Sequence, residues 1–381
     1  MVKAKEFNLL LKGCIKMDDV PDSSGLTEVK PSYYRNFKEL LDKTFSVESP
    51  PRLVLMTHSY PDPDALGSMM SFEWLMNKLY PKVEIVSYFD GAISHPQNIA
   101  MFNLLDPNSH HIKDYVAKSD DFNVLVDTVP ANAGVGENKV NFNLVIDHHK
   151  EIPNGGFNGL FVNLKAGSCC ATVYNLIKLS EFTFSDDIDS DTRVATAILI
   201  GISTDTENLM SDDATKYEFE AWAELFEIRN PTVLKKIVNF ERPKFWIEHK
   251  AAAVENAEIT EGLGIVGLGI IPTKHRDMIA DMASNMISWE DVNTAVAFAI
   301  VDGDKIVGCV RSRNASVMVP SLCKELAGKY GCGGGKLGSG SYNYPLAGGS
   351  FEEEDEDQIK EETWKLHNAK EKKRIIRVVR K

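Results

Sequence analysis

Within the 381-residue chain, chemistry-bearing groups concentrate in one stretch, His58-Ser59-Tyr60-Pro61-Asp62-Pro63-Asp64-Ala65-Leu66-Gly67-Ser68. It puts one imidazole and two carboxylates into a few residues of loop. Two unpaired carboxylates that close would repel, and each would resist ionising; a metal ion removes that cost. Pro61 and Pro63 stiffen the loop, so less entropy is lost when ligands are ordered. Gly67 and Ser68 let a helix start close to the preceding strand. Taken alone, a D-x-D of this kind is equally an ordinary polar turn. Three later stretches shift the reading: Asn123 to Val126 ending at Asp127, Asn143 to Ile146 ending at Asp147-His148-His149, and Asp191 to Ile202 running into Ser203-Thr204-Asp205-Thr206.

Together His58, Asp62, Asp64, Asp127, His148 and Asp205 supply four carboxylates and two imidazoles, and two divalent cations would neutralise the four negative charges. Oxygen-rich ligation with some imidazole suits manganese, with iron and magnesium less decisive, and it lacks the thiolates of a structural zinc site. Two ions close together can activate a water and clamp the oxygens of an in-line phosphoryl displacement. Asp127, alone at its strand end, is the natural carboxylate to bridge them. Asp147, immediately before two histidines, can instead orient an imidazole.

These groups need elements to hold them. The apolar run Leu53 to Met56 reads as a buried strand, and Met69 to Leu79 as a helix. Tyr34 to Phe45 reads as a helix ahead of them. Val83 to Tyr88, Asn123 to Val126, Asn143 to Ile146 and Leu160 to Asn163 read as further strands. Pro96 to Leu105, Cys169 to Leu179 and Asp191 to Ile202 read as helices between and after them, followed by Ala214 to Glu227 and Pro231 to Val238. Strands alternating with helices predict an α/β fold with a mostly parallel sheet, and ligands then bind beyond the carboxyl ends of the strands. A second pattern begins near residue 258, with strands at Gly264 to Ile271, Thr294 to Val301 and Lys305 to Val310, and helices at His275 to Met286 and Val317 to Leu326. The expected organisation is an N-terminal extension (1–36), a catalytic domain (37–240), a linker helix (241–257), a smaller α/β domain (258–350) and a charged tail (351–381). Asp22 to Gly25 reads as a turn. Glu352 to Asp357, six consecutive acids, reads as a solvated loop.

Composition narrows the function. A formal net charge of −13 argues against a broad basic nucleic-acid surface, and leaves room for a small anion site. No apolar run is long enough to span a bilayer, and the first residues lack a signal-peptide pattern, so a cytoplasmic protein is expected. The six cysteines (Cys14, Cys169, Cys170, Cys309, Cys323, Cys332) form no CxxC pair and are expected to be reduced, packing residues. Arg311 and Arg313 alternate on a strand, so both can face one side, where Arg binds phosphate bidentately. Gly333, Gly334 and Gly335 offer backbone N–H groups to an anion, and Lys336 follows them. A solvated strand edge and an ordinary glycine turn are the competing readings.

H-S-Y-P-D-P-D-A-L-G-S, V-L-V-D127, V-I-D147-H148-H149 and G-I-S-T-D205-T resemble the four motifs of the DHH phosphoesterase superfamily, over about residues 37 to 230. Cys309-Val310-Arg311-Ser312 and the Gly-rich stretch are similar to its DHH-associated C-terminal domain. The branch most resembled is that of oligoribonuclease/pAp-phosphatases and cyclic-dinucleotide phosphodiesterases. The resemblance implies two α/β domains with the active site in the cleft between them. It also implies one metal on His58, Asp62 and Asp127, another on Asp64, Asp127, His148 and Asp205, and His149 beside the substrate phosphate. Lys336 stands where the family's Gly-rich signature usually ends in histidine, and Glu207-Asn208 where glycine often follows. The function expected is a manganese phosphodiesterase, with Asp147 and His149 in catalytic roles, acting on short RNA or DNA oligonucleotides or on dinucleotides. A homodimer is compatible with that expectation. The rivals are a pAp phosphatase or pyrophosphatase, a RecJ-type exonuclease, and a slow-turnover nucleotide-binding regulator.

Overall fold

The computed structural model describes residues 30–136, 138–150, 153, 157–346 and 357–380. The expected turn at Asp22 to Gly25, Cys14, and all of the acidic run but Asp357 lie outside the described residues. The chain divides into two compact units, one ending at residue 239 and the other comprising 94–99 and residues from 240 onward.

The first unit opens with α1 (Ser32–Phe45), which buries Tyr34, Phe37, Leu41 and Phe45, a helical spacing of one apolar face. Phe45 meets Phe122 edge-on, with ring centroids 5.1 Å apart. Then come β1 (Leu53–Ser59), α2 (Pro63–Leu79), β2 (Ile85–Asp90), α3 (Pro96–Leu105), β3 (Ser109–His111), β4 (Phe122–Val126), β5 (Leu144–Ile146) and β6 (Leu160–Val162). The unit closes with α4 (Cys169–Leu179), α5 (Asp189–Asp205), α6 (Lys216–Leu225) and α7 (Pro231–Val238). The strands form one sheet in the order β3-β2-β1-β4-β5-β6, all pairs parallel. Leu53 to Met56 are fully buried because an interior parallel strand is covered on both faces. The chain reverses direction across the sheet between β1 and β4. The crevice at such a switch point, beyond the strands' carboxyl ends, is where open α/β sheets bind ligands.

The second unit contains α8 (Lys244–Glu255), β7 (Glu258–Thr260), β8 (Leu263–Ile271), α9 (Met278–Met286), β9 (Thr294–Val301), β10 (Lys305–Ser312), α10 (Val319–Ala327), β11 (Cys332–Lys336), β12 (Ser339–Pro345) and α11 (Asp357–Val379). Its mixed sheet runs β11-β12-β10-β9-β8-β7, with only β8 and β9 parallel. Along β9, Ala295, Ala297 and Ala299 pack with Met278, Met282 and Met286 of α9, while Val296, Phe298 and Ile300 pack with Cys323 and Leu326 of α10. The alternation is that of a strand whose two faces are both covered.

Three segments differ from the sequence reading. The linker helix is α8, and its Trp246 is fully buried in the core of the second unit. The Gly-rich stretch is the edge strand β11, paired with β12, rather than a loop. The charged tail contains the 23-residue helix α11, whose Ile375 and Val378 join the second core. Glu371, almost fully buried, accepts hydrogen bonds from the hydroxyls of Tyr342 (2.7 Å) and Tyr344 on β12. Charged residues hid this helix because it contributes only a narrow apolar stripe. Glu371→Ala would leave the buried Tyr342 hydroxyl without its acceptor, and should cost about 1–3 kcal/mol. Urea unfolding checks this; a loss under about 0.5 kcal/mol would mean that apolar contacts alone hold α11.

Candidate metal centre

Each candidate ligand sits at or just beyond the end of an element. His58 is near the end of β1. Asp62 is the N-cap of α2 and accepts the Ala65 N–H at 3.0 Å. Asp64 is therefore in the first turn of that helix and not in the expected loop. Asp127 and Asp147 follow β4 and β5, and Asp205 is the last residue of α5. Asp127 has a left-handed backbone, φ 59°, and its N–H reaches Ile146 O at 2.9 Å. Aspartate tolerates that region better than most residues, and non-glycine residues held there cluster at functional sites.

The eight groups expected to share a site do converge. His58 Nε2 lies 3.5 Å from Asp127 Oδ2 and 3.9 Å from Asp62 Oδ1. His148 Nε2 lies 3.2 Å from Asp205 Oδ2, 3.4 Å from Asp127 Oδ1 and 3.8 Å from Asp64 Oδ2. Two donor triads result, His58/Asp62/Asp127 and Asp64/His148/Asp205, each with ligand atoms within 4.8 Å of one another. Asp127 turns one oxygen toward the imidazole of each triad. His58 Nδ1 donates to Ser59 O at 3.0 Å, leaving Nε2 to face the carboxylates. Asp147 is fully buried, and its Oδ1 accepts from the N–H groups of His148 (2.8 Å) and His149 (3.3 Å) and from His149 Nδ1 (2.8 Å). Asp147 thus fixes the ring of His149, which is partly exposed.

The donor set fits metal ions. Asp127 Oδ1, Asp147 Oδ2 and His148 Nε2 are buried without a hydrogen-bond partner, and orphaned buried polar atoms are costly unless something else satisfies them. Burial resists charge on His58, but hydrogen bonding to Asp127 and the charges of Asp62 and Asp127 outweigh it and push the imidazole up to about 10. Burial and the Asp127 charge push Asp62 up to about 6 and Asp64 well above the carboxylate range. Asp127 goes the other way: burial resists its ionisation, and His148 and His58 hold it well below the ordinary range.

The second unit carries the remaining candidates. Arg311 donates through Nε to Ser284 Oγ at 3.1 Å and through Nη1 to Val310 O at 3.1 Å. Arg311 pairs with Ser339, and Ser339 pairs with Lys336, so the three form one cross-strand row on a common face. Arg313 lies beyond the end of β10 and is exposed. The glycines divide. A Cβ on Gly333 would sit 2.2 Å from Cys323 O, so that position is reserved for close packing against α10, whereas Gly334 faces open space. Two contributors escaped the sequence reading. Ser284 carries no motif. The amides that begin α4 were signalled only by Ser168 ahead of an apolar run, an N-cap pattern.

Residues 52–202 match the DHH family, N-terminal domain. An uncharacterized protein of Methanocaldococcus jannaschii is 27% identical over 308 residues, 80% of this chain and 60% of that protein. The chain thus spans less than two thirds of that relative's length. A probable bifunctional oligoribonuclease and PAP phosphatase, NrnA, of Streptococcus mutans is 24% identical over 323 residues, 82% of this chain and 94% of the relative. The family match thus covers the segment that carries His58, Asp62, Asp64, Asp127, Asp147, His148 and His149. A similar fold is seen in the structure of an exopolyphosphatase-related protein from Bacteroides fragilis, which aligns over 92% of this chain and 99% of its own, with a TM-score of 0.59 and 15% identity.

The protonation pattern of this centre would link metal uptake to proton release. Ligands must be deprotonated, so ion binding displaces protons from His58 and from the raised carboxyls, and apparent affinity rises with pH. The sign for the EDTA-treated protein is opposite: the raised imidazole of His58 stabilises the fold below pH 6.5, and that contribution is lost as pH rises through about 10. Calorimetric titration of Mn²⁺ at pH 7 in two buffers of different ionisation enthalpy should show release of at least about one proton per protein. Heats independent of buffer would contradict this.

Proposed function

We propose that the protein is a two-ion phosphodiesterase that cuts short 5′-phosphorylated oligonucleotides or dinucleotides to mononucleotides, with manganese as the ion. The observation that carries this reading is the pair of adjacent donor triads with Asp127 between them, one oxygen near His58 of its own triad and the other near His148 of the second. His58, Asp62 and Asp127 would hold one ion, and Asp64, Asp127, His148 and Asp205 the other. When bound, such ions supply Lewis acidity to a phosphoryl oxygen and lower the pKa of a water. Manganese accords with a donor set of carboxylates with two imidazoles and no thiolate.

The protein's own groups do the rest. Asp127 is fixed by its left-handed backbone and its N–H bond to Ile146 O, so its two oxygens are aimed before any ligand arrives. The Asp147 carboxylate accepts the Nδ1 proton of His149, which leaves Nε2 of that ring to meet a substrate phosphate oxygen. Arg311 is pre-oriented by Ser284 and the Val310 carbonyl. With Lys336 in the same row, it offers a small cationic patch for substrate phosphate. A patch of that size on a chain of net charge −13 favours short substrates, since an extended strand needs a long cationic track. The relative named as a probable bifunctional oligoribonuclease and PAP phosphatase supports the same substrate range.

Three experiments test this. With Mn²⁺, 5′-phosphorylated RNAs of two, five and twenty-four nucleotides should be cut in that order of rate; the longest cut as fast as the shortest would replace this reading with a RecJ-type exonuclease. Asp127→Asn keeps a residue that tolerates the left-handed backbone, and should lower kcat about 100-fold or more. Activity within about tenfold of wild type would remove Asp127 from the bridging role. Arg311→Ala and Lys336→Ala should mainly raise KM, since the contact exists before the chemistry. Unchanged kinetics in both on every substrate would make this face structural.

A further inference from the structure

Asp64 is held in an unusual way. Its carboxylate is fully buried, and both oxygens accept main-chain hydrogen bonds from the first turn of another helix: Cys169 N–H to Oδ2 at 2.6 Å and Cys170 N–H to Oδ1 at 2.9 Å. These are the first two residues of α4. Ser168, its N-cap, accepts the Ala171 N–H at its hydroxyl (3.2 Å) and the Thr172 N–H at its carbonyl (3.4 Å). The N–H groups of the first three helical residues, which have no partner within the helix, are thus all accounted for, and Asp64 takes two of them. Charge-assisted bonds at the positive end of a helix are short and strong.

The packing around this contact is close. Cys170 Sγ donates to Asp64 O at 3.4 Å. A Cβ on Gly67 would lie 2.7 Å from that sulfur, and one on Gly201 would lie 2.5 Å from it. The Gly201 Cβ would also come within 3.0 Å of Asp64 Cα and 3.1 Å of Asp64 Oδ1. Gly201 is one turn before Asp205 on α5, so the two share a helix face. Helices α2, α4 and α5 therefore meet at a junction of small residues, and the same junction sets the separation of Asp64 from Asp205. Those two carboxylates both face His148 Nε2.

We propose that the Cys169 and Cys170 amides and Gly201 are positioning residues for the ion held by Asp64, His148 and Asp205. Their task is to fix Asp64 in its ligating orientation before the ion arrives and to relieve its repulsion from Asp127 and Asp205. The inference rests on the two-ion reading above and deepens it. It separates the two halves of the centre: the His58/Asp62/Asp127 half depends on the Asp62 N-cap, and the other half depends on the α4 junction.

Cys169→Pro tests it directly. Proline is accepted at the first helical position, and Ser168 has the extended backbone (φ −149°, ψ 154°) that a following proline requires, so the substitution deletes one donor while the helix can still form. Mn²⁺ binding is followed by electron paramagnetic resonance of the free ion, and the unfolding of EDTA-treated protein by circular dichroism. Wild type should bind two ions. Cys169→Pro should bind one of them about 10–100-fold more weakly, hold the other within about threefold, and still unfold cooperatively after EDTA treatment. Cys169→Ser, which keeps the N–H, should restore both ions. Gly201→Ala, whose methyl presses on Cys170 Sγ and on Asp64 while deleting neither N–H donor, should weaken the same ion, and it carries the test if Cys169→Pro does not fold. Two ions bound at wild-type affinity by either folded variant would overturn the positioning role and leave the two-ion reading standing. A wild type that binds no Mn²⁺ would overturn both.

Discussion

Crowding of like charge at one sheet edge is the constraint that shapes the first unit. Asp62 and Asp127 have oxygens within 4.8 Å, as do Asp64 and Asp205 through their shared histidine. At an effective dielectric near 20, two unit charges at such a distance repel by about 3–4 kcal/mol. The fold meets this with positive potential of several kinds. Asp62 caps its own helix, Asp64 lies on the N-terminus of another, and His58 and His148 stand on either side of Asp127. What remains is answered by protonation, as the raised His58 and Asp64 show. Divalent cations would answer the same excess of negative charge.

The two aspartates that follow adjacent strands illustrate how position divides labour. Asp127 and Asp147 end β4 and β5, and both are buried. Asp147 spends one oxygen on two backbone N–H groups and the His149 ring, which makes it a fixed acceptor for that imidazole. Asp127 makes no such local turn. Its left-handed backbone swings the carboxylate to where it lies between two imidazoles, one per oxygen. A regular strand continuation would have sent the side chain to one face of the sheet. The strain is what allows one carboxylate to address both halves of the centre.

Much of this was legible in the sequence, for identifiable reasons. Buried parallel strands announce themselves as short apolar runs, and chemistry placed immediately after such runs must lie on one edge, which is why His58, Asp127 and Asp147-His148-His149 could be grouped before any coordinates. The boundaries of α4 and α7 were readable because apolar periodicity began and ended sharply at Cys169 and Leu179, and at Pro231 and Val238. The start of α2 was less so: Asp62 and Asp64 look like loop residues until one sees that the first caps the helix and the second sits in its first turn. Helix α11 was lost in its own charge, since an apolar stripe of Ile375 and Val378 is sparse among lysines, arginines and glutamates. Backbone donors leave no letter in a sequence. The Cys169 and Cys170 amides could be anticipated only through the Ser168 cap.

The Gly-rich stretch shows how a correct residue list can carry a mistaken physical role. Read as a loop, Gly333 to Gly335 are interchangeable sources of N–H groups. As the edge strand β11 they are not. Gly333 is glycine because α10 passes over it, with the Cys323 carbonyl where a side chain would be. Gly335 has φ 152° and would collide with Ser339 O, so it serves the turn into β12. Gly334 alone has open space beside its Cα. A glycine tract packed closely on one side and bare at one position on the other leaves a strand edge that a ligand could approach without a side chain in between. Lys336, one residue past this edge and aligned with Ser339 and Arg311, then supplies charge along the same row. The anion chemistry expected of the stretch thus rests on sheet register, and glycine matters chiefly because it lets that register form against α10.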